Sequence, residues 1–174
     1  MLASTCDRVV FAVPDGRLDG PGPERVRGGS SRSESVRNAL AAAADADIVV
    51  IHDAARPLVT EELVRCCIHE VEAGADGAIA AAPVTDTIKE ADSQRRVVRT
   101  LDRSTLWAIQ TPQVFRAAAL RRALDQPLEV LAVATDDAAL VEAAGGSVRI
   151  VEAPPVNFKI TWPDDLKRAE SLLC

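Results

Sequence analysis

Short, largely apolar runs alternate along the chain with stretches whose apolar residues recur at helical spacing. Residues 8–13, 47–51 and 78–84 are runs of the kind found in strands that are buried on both faces of a parallel sheet. Between them, residues 30–44 and 60–71 repeat apolar positions every three or four residues, which indicates helices. This alternation of strands and helices predicts an α/β fold with a mainly parallel sheet.

The pattern changes in the second half of the chain. Residues 85–89 and 96–101 flank a polar turn at 90–95, which predicts a two-stranded β-arm inserted at residues 84–101 rather than another crossover helix. A polar tip on such an arm suits a contact between two copies of the chain. The other predicted segments are a loop at residues 16–27, a return strand at 106–109, helices at 115–124 and 135–144, strands at 147–151 and 158–161, and a last helix that begins at Pro163.

Composition and charge narrow the class of protein. The 174 residues are 48% hydrophobic, which is too high for a disordered chain and typical of one soluble domain. No apolar run reaches the roughly 18 residues of a membrane span. With 20 Lys and Arg against 26 Asp and Glu, the net charge of -6 argues against a general nucleic-acid binder. Neither zinc-type cysteine spacing nor a signal peptide is present, so we expect free thiols in a cytoplasmic protein.

Polar residues follow several of the predicted strands, and ligands of open parallel sheets bind beyond the carboxyl ends of the strands. Gly28 and Gly29 allow close approach of the backbone to a ligand, and the helix that follows offers free N–H groups. The hydroxyls of Ser30 and Ser35 and the guanidinium of Arg32 could meet a phosphate or a base. The alternative is a flexible turn whose serines cap the helix.

A second polar loop comes directly after the strand predicted at 47–51. Asp53 could bind a metal or a ribose hydroxyl there, and Arg56 could bind a phosphate. The alternative is a local Asp–Arg pair that rigidifies the loop. We expect His52 to be a packed loop residue, and we expect residues 135–137 to cap a helix.

Lysine is rare in this chain, which has only Lys89, Lys159 and Lys167. Lys159 stands between Phe158 and Ile160, so in a strand its side chain would face away from both of them. Its rarity and its place near the end of the sheet favour an anion-binding role over a solvent-facing lysine.

Several common catalytic motifs are missing from the sequence. There is no G-x-S-x-G, H-E-x-x-H, G-x-G-x-x-G or Walker A pattern, so hydride transfer, zinc-dependent hydrolysis and triad hydrolysis have no support. Arg103 and Thr111 lie in a polar segment that by itself indicates only an ordered loop.

Seven motifs occur in an order that resembles one enzyme family over essentially the whole chain. That family is the 2-C-methyl-D-erythritol 4-phosphate cytidylyltransferases of the non-mevalonate isoprenoid pathway. The motifs are GGSSRSESV at 28–36, HDAARP at 52–57, PVTDTIK at 83–89, DR at 102–103, QTPQ at 110–113, TDD at 135–137 and FKIT at 158–161.

The resemblance implies a Rossmann-like sheet of the nucleotide-diphospho-sugar transferase type, with the arm serving dimerisation. It also implies transfer of a cytidylyl group from CTP to methylerythritol phosphate, with Mg²⁺ as cofactor and a homodimer as the working form. It assigns no metal ligand. The implied residues are Gly28, Gly29, Ser30, Arg32 and Ser35 at the nucleotide; Asp53, Ala54, Arg56 and Thr111 at the substrate; Thr87 reaching across the dimer; and Arg103 and Lys159 positioning the attacking phosphate.

The chain departs from the family pattern at its amino end. The family begins with a strand and a glycine-rich, basic loop that holds the triphosphate, whereas this chain begins at what resembles the next strand, and no lysine precedes Lys89. We therefore expect a truncated domain of residues 1–174 that releases no pyrophosphate by itself. Two alternatives remain, a cytidylyltransferase for another polyol phosphate such as ribitol 5-phosphate and an inactive dimerising remnant.

Overall fold

A computed structural model describes residues 2–173, with side chains from residue 4 onward. Its helices and strands alternate as the apolar pattern predicts, and a short 3-10 turn spans Arg103–Thr105. The elements in chain order are α1 (Leu2–Thr5), β1 (Val10–Val13), β2 (Glu24–Arg27), α2 (Arg32–Ala42), β3 (Ile48–Ile51), α3 (Glu61–Glu72), β4 (Gly77–Pro83), β5 (Lys89–Ala91), β6 (Val97–Thr100), β7 (Trp107–Arg116), α4 (Ala117–Leu124), α5 (Leu128–Val133), α6 (Asp137–Ala143), β8 (Val148–Glu152) and α7 (Pro163–Ser171).

The central sheet has four strands in the order β3-β7-β4-β8. β4 and β8 pair in parallel, while β7 runs antiparallel to both β3 and β4. Three of the four strands therefore share one direction, and their carboxyl ends lie at the same end of the sheet. β1 and β2 form a separate parallel pair. The α/β class is confirmed, and β7 is the strand that departs from the parallel arrangement.

Two apolar clusters fill the space on either side of this sheet. Ile79 and Phe115 face a cluster built with α2, α4, α5 and α6, whereas their neighbours Ala78 and Val114 face a second cluster built with α3. The switch follows from the alternation of side chains along a strand. Both sheet faces are covered, so β4 is almost continuously apolar.

Gly77 lies directly opposite Phe115 in the ladder between β4 and β7. A Cβ atom at Gly77 would stand only 2.5 Å from Cδ1 of the Phe115 ring. The missing side chain thus makes room for the aromatic ring, which is fully buried.

β5 and β6 form an antiparallel pair within the segment predicted as an arm. That this pair protrudes as an arm for dimerisation stays a prediction. All residues of both strands are exposed, including the apolar Val97 and Val98. Thr100 accepts a hydrogen bond from Lys89 at 2.6 Å, and Arg99 pairs with Glu90 across the hairpin.

Four predicted segments need correction. Residues 158–161 form no strand, because the backbone N–H of Ile160 donates to the Ala55 carbonyl in a loop instead of joining the sheet. The helix predicted from residue 115 begins at Ala117, because Phe115 is still paired in β7. The return strand predicted at 106–109 continues to Arg116 as β7. The loop predicted at 16–27 contains β2, which pairs with β1.

The sequence pattern does not predict helix α5, because only six residues form it and Leu131 alone is buried. Within residues 2–173, no helix combines the length and the apolar content that crossing a bilayer requires.

Candidate active site

Two loops that follow parallel strands meet at the carboxyl end of the sheet. Asp53 comes after β3, and Lys159 comes after β8. The Nζ atom of Lys159 donates a hydrogen bond to Oδ2 of Asp53 at 3.1 Å. The backbone N–H of Ile160 donates to the Ala55 carbonyl at 2.8 Å, so the two loops are joined by main chain as well. Ala54 lies exposed in the same loop as Asp53.

Neighbouring residues hold Lys159 in place. The guanidinium of Arg168 in α7 stacks on the Phe158 ring, 4.3 Å from its centre. At the start of α7, the carboxylate of Asp165 accepts hydrogen bonds from the backbone N–H groups of Thr161 and Trp162. The segment on each side of Lys159 is therefore fixed although it belongs to no strand.

Thr111 reaches the site through an irregularity in β7. Ile79 pairs with Gln113 and Ala81 pairs with Ile109, so β7 carries two extra residues over this interval. Such bulges redirect side chains. The Thr111 hydroxyl accepts the backbone N–H of Asp53 at 3.0 Å.

The carbonyl of Arg56 fixes the tautomer of His52, and the Thr111 hydroxyl bonds to the other ring nitrogen. This hydroxyl lies 3.1 Å from Nδ1 of His52, and Nε2 of that ring lies 3.0 Å from the carbonyl oxygen of Arg56. A carbonyl only accepts, so Nε2 carries the proton and Nδ1 accepts from Thr111. Burial lowers the pKa of His52, which keeps the ring neutral at pH 7. The expectation that His52 is a packed loop residue is confirmed.

Arg56 and Asn157 form a buried support beneath the loops. The guanidinium of Arg56 donates to the Asn157 carbonyl at 2.7 Å, and burial lowers the pKa of this arginine. The amide of Asn157 donates to the side chain of Gln110 at 2.8 Å and to the backbone of Thr111 at 2.9 Å. Sequence reasoning missed Asn157, because an asparagine before a polar segment gives no sign that it will be fully buried.

Four charged side chains alternate in sign across the site. Asp53 stands between Lys159 and Arg32, whose Nε is 3.7 Å from Oδ1 of Asp53. Arg32 also forms an ion pair with Asp137. Burial raises the pKa of Asp53, but the hydrogen bond and charge of Lys159, with the charges of Arg32 and Arg56, bring it below its ordinary value.

The glycine–serine loop before α2 is tied to the first turn of that helix. Ser35 accepts the backbone N–H of Gly29 at 2.9 Å, and Glu34 accepts both the backbone N–H and the hydroxyl of Ser30. Ser31 caps α2 by accepting the N–H of Glu34. A Cβ atom at Gly28 would lie 3.3 Å from the Val13 carbonyl, so the backbone passes close to β1 here. The capping alternative is observed, and nucleotide binding by this loop stays a prediction.

Arg103 and Thr87 lie apart from these residues. Arg103 is exposed, and its guanidinium donates to the Thr85 carbonyl just beyond β4. Thr87 is exposed between β4 and β5. In the part of the chain that the structure describes, no hydrogen bond or ion pair connects either residue with Asp53 or Lys159. The predicted site residues therefore fall into two groups within one chain.

A groove of about 780 Å³ lies elsewhere, between α3 and the outer strand β8. Glu61, Glu62 and Glu70 line it together with a single arginine, Arg65. This balance of charge does not suit an anionic ligand, so we assign the site to the cationic end of the sheet.

Comparison with known proteins decides the family. Residues 2–174 match the family model described as IspD: 2-C-methyl-D-erythritol 4-phosphate cytidylyltransferase. The chain belongs to this family. Membership of the cytidylyltransferase family thus accounts for the order of the seven motifs along the chain.

Relatives in this family span more residues than the chain. The 2-C-methyl-D-erythritol 4-phosphate cytidylyltransferase of Rubrobacter xylanophilus is 54% identical over 149 residues, covering 84% of this chain and 64% of the relative. The bifunctional enzyme IspD/IspF of Anaeromyxobacter dehalogenans is 46% identical over 187 residues, covering 99% of this chain and 48% of the relative. The chain therefore spans less than two thirds of both curated relatives.

A solved structure of the family has the same fold. The crystal structure of the cytidylyltransferase from Thermus thermophilus superposes with a TM-score of 0.85 at 34% identity, covering 98% of this chain and 84% of that one. This similarity confirms the fold class that the resemblance implied.

Proposed function

We propose that the protein is a 2-C-methyl-D-erythritol 4-phosphate cytidylyltransferase, which joins CTP to methylerythritol phosphate and releases pyrophosphate. Family membership supports this activity. The observation that carries the proposal is the position of Lys159, an ammonium group that is half exposed at the end of the sheet and bonded to Asp53. Arg32 lies near the other carboxylate oxygen of Asp53, and the charge of Arg56 also acts on this carboxylate.

The reaction needs cations more than it needs a base. A phosphate oxygen of methylerythritol phosphate attacks the α-phosphorus of CTP, a new P–O bond forms, and the bond to the leaving pyrophosphate breaks. The attacking oxygen is already ionised, so no side chain has to remove a proton. Two anionic reactants must be brought in line while charge develops on the phosphates. Lys159 is proposed to leave Asp53 and to bind the attacking phosphate.

Mg²⁺ belongs to the proposal as the ion that accompanies the nucleotide. Residues 2–173 contain no cluster of three or more His, Cys, Asp or Glu side chains suited to a metal ion. Both oxygens of Asp53 face cations, so the residues present fit an ion held mainly by nucleotide phosphates, as is common for Mg²⁺. When bound, the ion would neutralise charge on the phosphates. Turnover should cease in EDTA and return when excess Mg²⁺ is added.

A homodimer through the hairpin β5–β6 is the second part of the proposal. The hairpin leaves Val97 and Val98 62% and 60% exposed. Arg103 and Thr87 flank the hairpin, and in the described residues neither makes a hydrogen bond or an ion pair with Asp53 or Lys159 of its own chain. We propose that both residues serve the site of a second copy. The cytoplasm is the proposed compartment, because Cys6, Cys66 and Cys67 are free thiols.

A mixing experiment tests the shared site. Lys159→Ala and Arg103→Ala chains are each expected to be strongly impaired when the acceptor concentration is below the wild-type KM. If Arg103 serves the other copy, a mixed dimer has one intact site, so an equal mixture that exchanges subunits recovers about a quarter of wild-type activity. No recovery after confirmed exchange would contradict the shared site.

The activity itself is tested by pyrophosphate release with CTP, Mg²⁺ and either methylerythritol phosphate or ribitol 5-phosphate. Binding of each acceptor is measured in parallel by calorimetry, with Lys159→Gln as the comparison. We expect this chain to bind methylerythritol phosphate in a way that depends on Lys159. Because the 174 residues are predicted to release no pyrophosphate by themselves, release with methylerythritol phosphate and not with ribitol 5-phosphate is expected from a protein of the relatives' full length. A preference for ribitol 5-phosphate, or the absence of both release and binding, would contradict the proposal.

A further inference from the structure

Asp137 is a buried carboxylate that the proposed reaction does not use. It is the first residue of α6, and none of its surface is exposed. One of its oxygens pairs with Arg32, while Oδ1 has no hydrogen-bond partner in the described part of the chain. Burial raises the pKa of Asp137, and the charge of Arg32 counteracts this. A buried charge with one partner is costly, and Asp136 rather than Asp137 caps α6, so helix capping does not account for the carboxylate at position 137.

The ion pair controls where Arg32 can go. Its guanidinium bonds to Asp137, whereas its Nε stops 3.7 Å short of Asp53, which is too long for a hydrogen bond. Only Lys159 donates to the carboxylate of Asp53 among the described residues, at the other oxygen. Arginine binds a carboxylate more strongly than lysine when both donors of its planar fork engage. Without Asp137, Arg32 would therefore close on Asp53 and compete with Lys159.

We propose that Asp137 is a positioning residue, which holds Arg32 back from Asp53 so that Asp53 remains the partner of Lys159. In the substrate-free site this keeps the ammonium of Lys159 at a fixed place. That Lys159 binds phosphate from this position rests on the proposed function. That Asp137 keeps Arg32 away from Asp53 does not depend on it.

The scarcity of lysine makes the test direct. Reductive ¹³C-methylation preserves the charge of lysine and gives side-chain signals from only three lysines, Lys89, Lys159 and Lys167. Asp53→Asn identifies the shift of an unpaired Lys159. We expect Asp137→Asn to move the Lys159 signal towards that value and to leave the other two in place. Asp136→Asn, which retains an N-cap for α6, should move none of them.

The role of Arg32 is isolated by a second set of variants. In an Arg32→Gln background, Asp137→Asn should no longer move the Lys159 signal, because the competing cation is gone. Arg32→Gln alone should leave this signal near its wild-type position, a result that stands even if Asp137→Asn fails to fold. A Lys159 signal that stays in place in a folded Asp137→Asn chain, or that moves equally with and without Arg32, would overturn the proposal.

Steady-state kinetics provide a second, independent test of the role of Asp137 once turnover is measured. Asp137→Asn is expected to raise KM for the acceptor phosphate about tenfold, the worth of one weakened charge-assisted contact. Arg32 is itself predicted to lie at the nucleotide, so the control is the Arg32→Gln background, in which Asp137→Asn should no longer raise this KM. A general loss of structure would raise it in both backgrounds. The lysine signals need no substrate, so an error in the assigned reaction and an error in this inference give different results.

Discussion

The ammonium group of Lys159 and the carboxylate of Asp53 meet at 3.1 Å although 106 residues separate them in the sequence. This contact joins the loop after β3 to the loop after β8. The side chain of Lys159 is 51% exposed, so an incoming phosphate can reach it. Asp53 thus keeps a cation in place that a substrate can take over.

Replacing Lys159 should impair the reaction without unfolding the chain. Loss of a charge-assisted hydrogen bond to phosphate corresponds to roughly 1.5–3 kcal/mol, so Lys159→Gln should lower kcat/KM about 10- to 100-fold. The free energy of unfolding in urea should hardly change, because the side chain is half exposed. Lys167→Gln is the matched control, since among the described side chains Lys167 pairs only with the exposed Asp164. Equal kcat/KM for both variants would refute the role of Lys159.

Arg103 should contribute to binding of the acceptor phosphate but not to the stability of the fold. In the described residues its guanidinium bonds only to the Thr85 carbonyl, which leaves further donors free for a phosphate. Arg103→Gln should raise KM for methylerythritol phosphate by roughly tenfold. Arg65→Gln, which removes an exposed arginine of α3 paired with Glu61, should leave KM unchanged. Steady-state kinetics of the two variants decide between a binding role and a general effect of charge.

His52 should make the fold sensitive to acid. Burial lowers the pKa of His52 in the folded chain, whereas the unfolded chain binds a proton near pH 6.5. Below that pH the unfolded state holds more protons, so the free energy of unfolding should decrease as pH falls from about 6.5 to the folded pKa. His52→Gln should have a lower free energy of unfolding at every pH. In this variant, however, that free energy should no longer show the decrease that protonation of His52 causes below about pH 6.5.

The second histidine of the chain provides the control. His69 is exposed on α3, and His69→Gln should retain the wild-type dependence on pH. Urea unfolding at several values between about pH 7.5 and 5 measures the slopes. Identical slopes for wild type and His52→Gln would show that burial of His52 does not govern acid stability.

The pairing of Gly77 with Phe115 should appear as a non-additive effect on stability. Gly77→Ala forces a methyl group against the ring and should cost about 1–3 kcal/mol. Phe115→Leu alone should destabilise the chain by creating a cavity. The double variant should be more stable than the sum of the two effects predicts, because the leucine leaves room for the methyl group. Strict additivity in urea unfolding would contradict the contact.

Periodicity predicts much of the fold because β3, β4 and α3 are patterned by local burial. It fails at residues 158–161, where the alternation of Phe158, Lys159 and Ile160 is typical of a strand. The N–H of Ile160 is instead taken by a carbonyl from a distant loop, and no local pattern carries that information. β7 is longer than predicted for a related reason, since the polar residues 110–113 interrupt its apolar pattern in the middle of the strand.

The candidate site is predicted in part. Asp53 and Lys159 stand out because each follows a strand, and the rule for strand ends brings them to one region of the sheet. The pairing of Arg32 with Asp137 spans 105 residues and leaves no trace in the sequence. The sequence indicates a helix cap at residues 135–137, and Asp136 does cap α6, but this function of one aspartate conceals the burial of the next.

The two extra residues in β7 limit how regular the pairing between β4 and β7 can be made. Deleting Gln110 and Thr111 would give β4 and β7 equal numbers of residues over this interval, and a design that aims at a more regular ladder would favour that change. The same deletion would remove the hydroxyl that holds His52 and the backbone of Asp53, and with it an amide acceptor of Asn157. In this segment, a more regular ladder and an ordered site are mutually exclusive, so stabilising designs should leave residues 110–113 untouched.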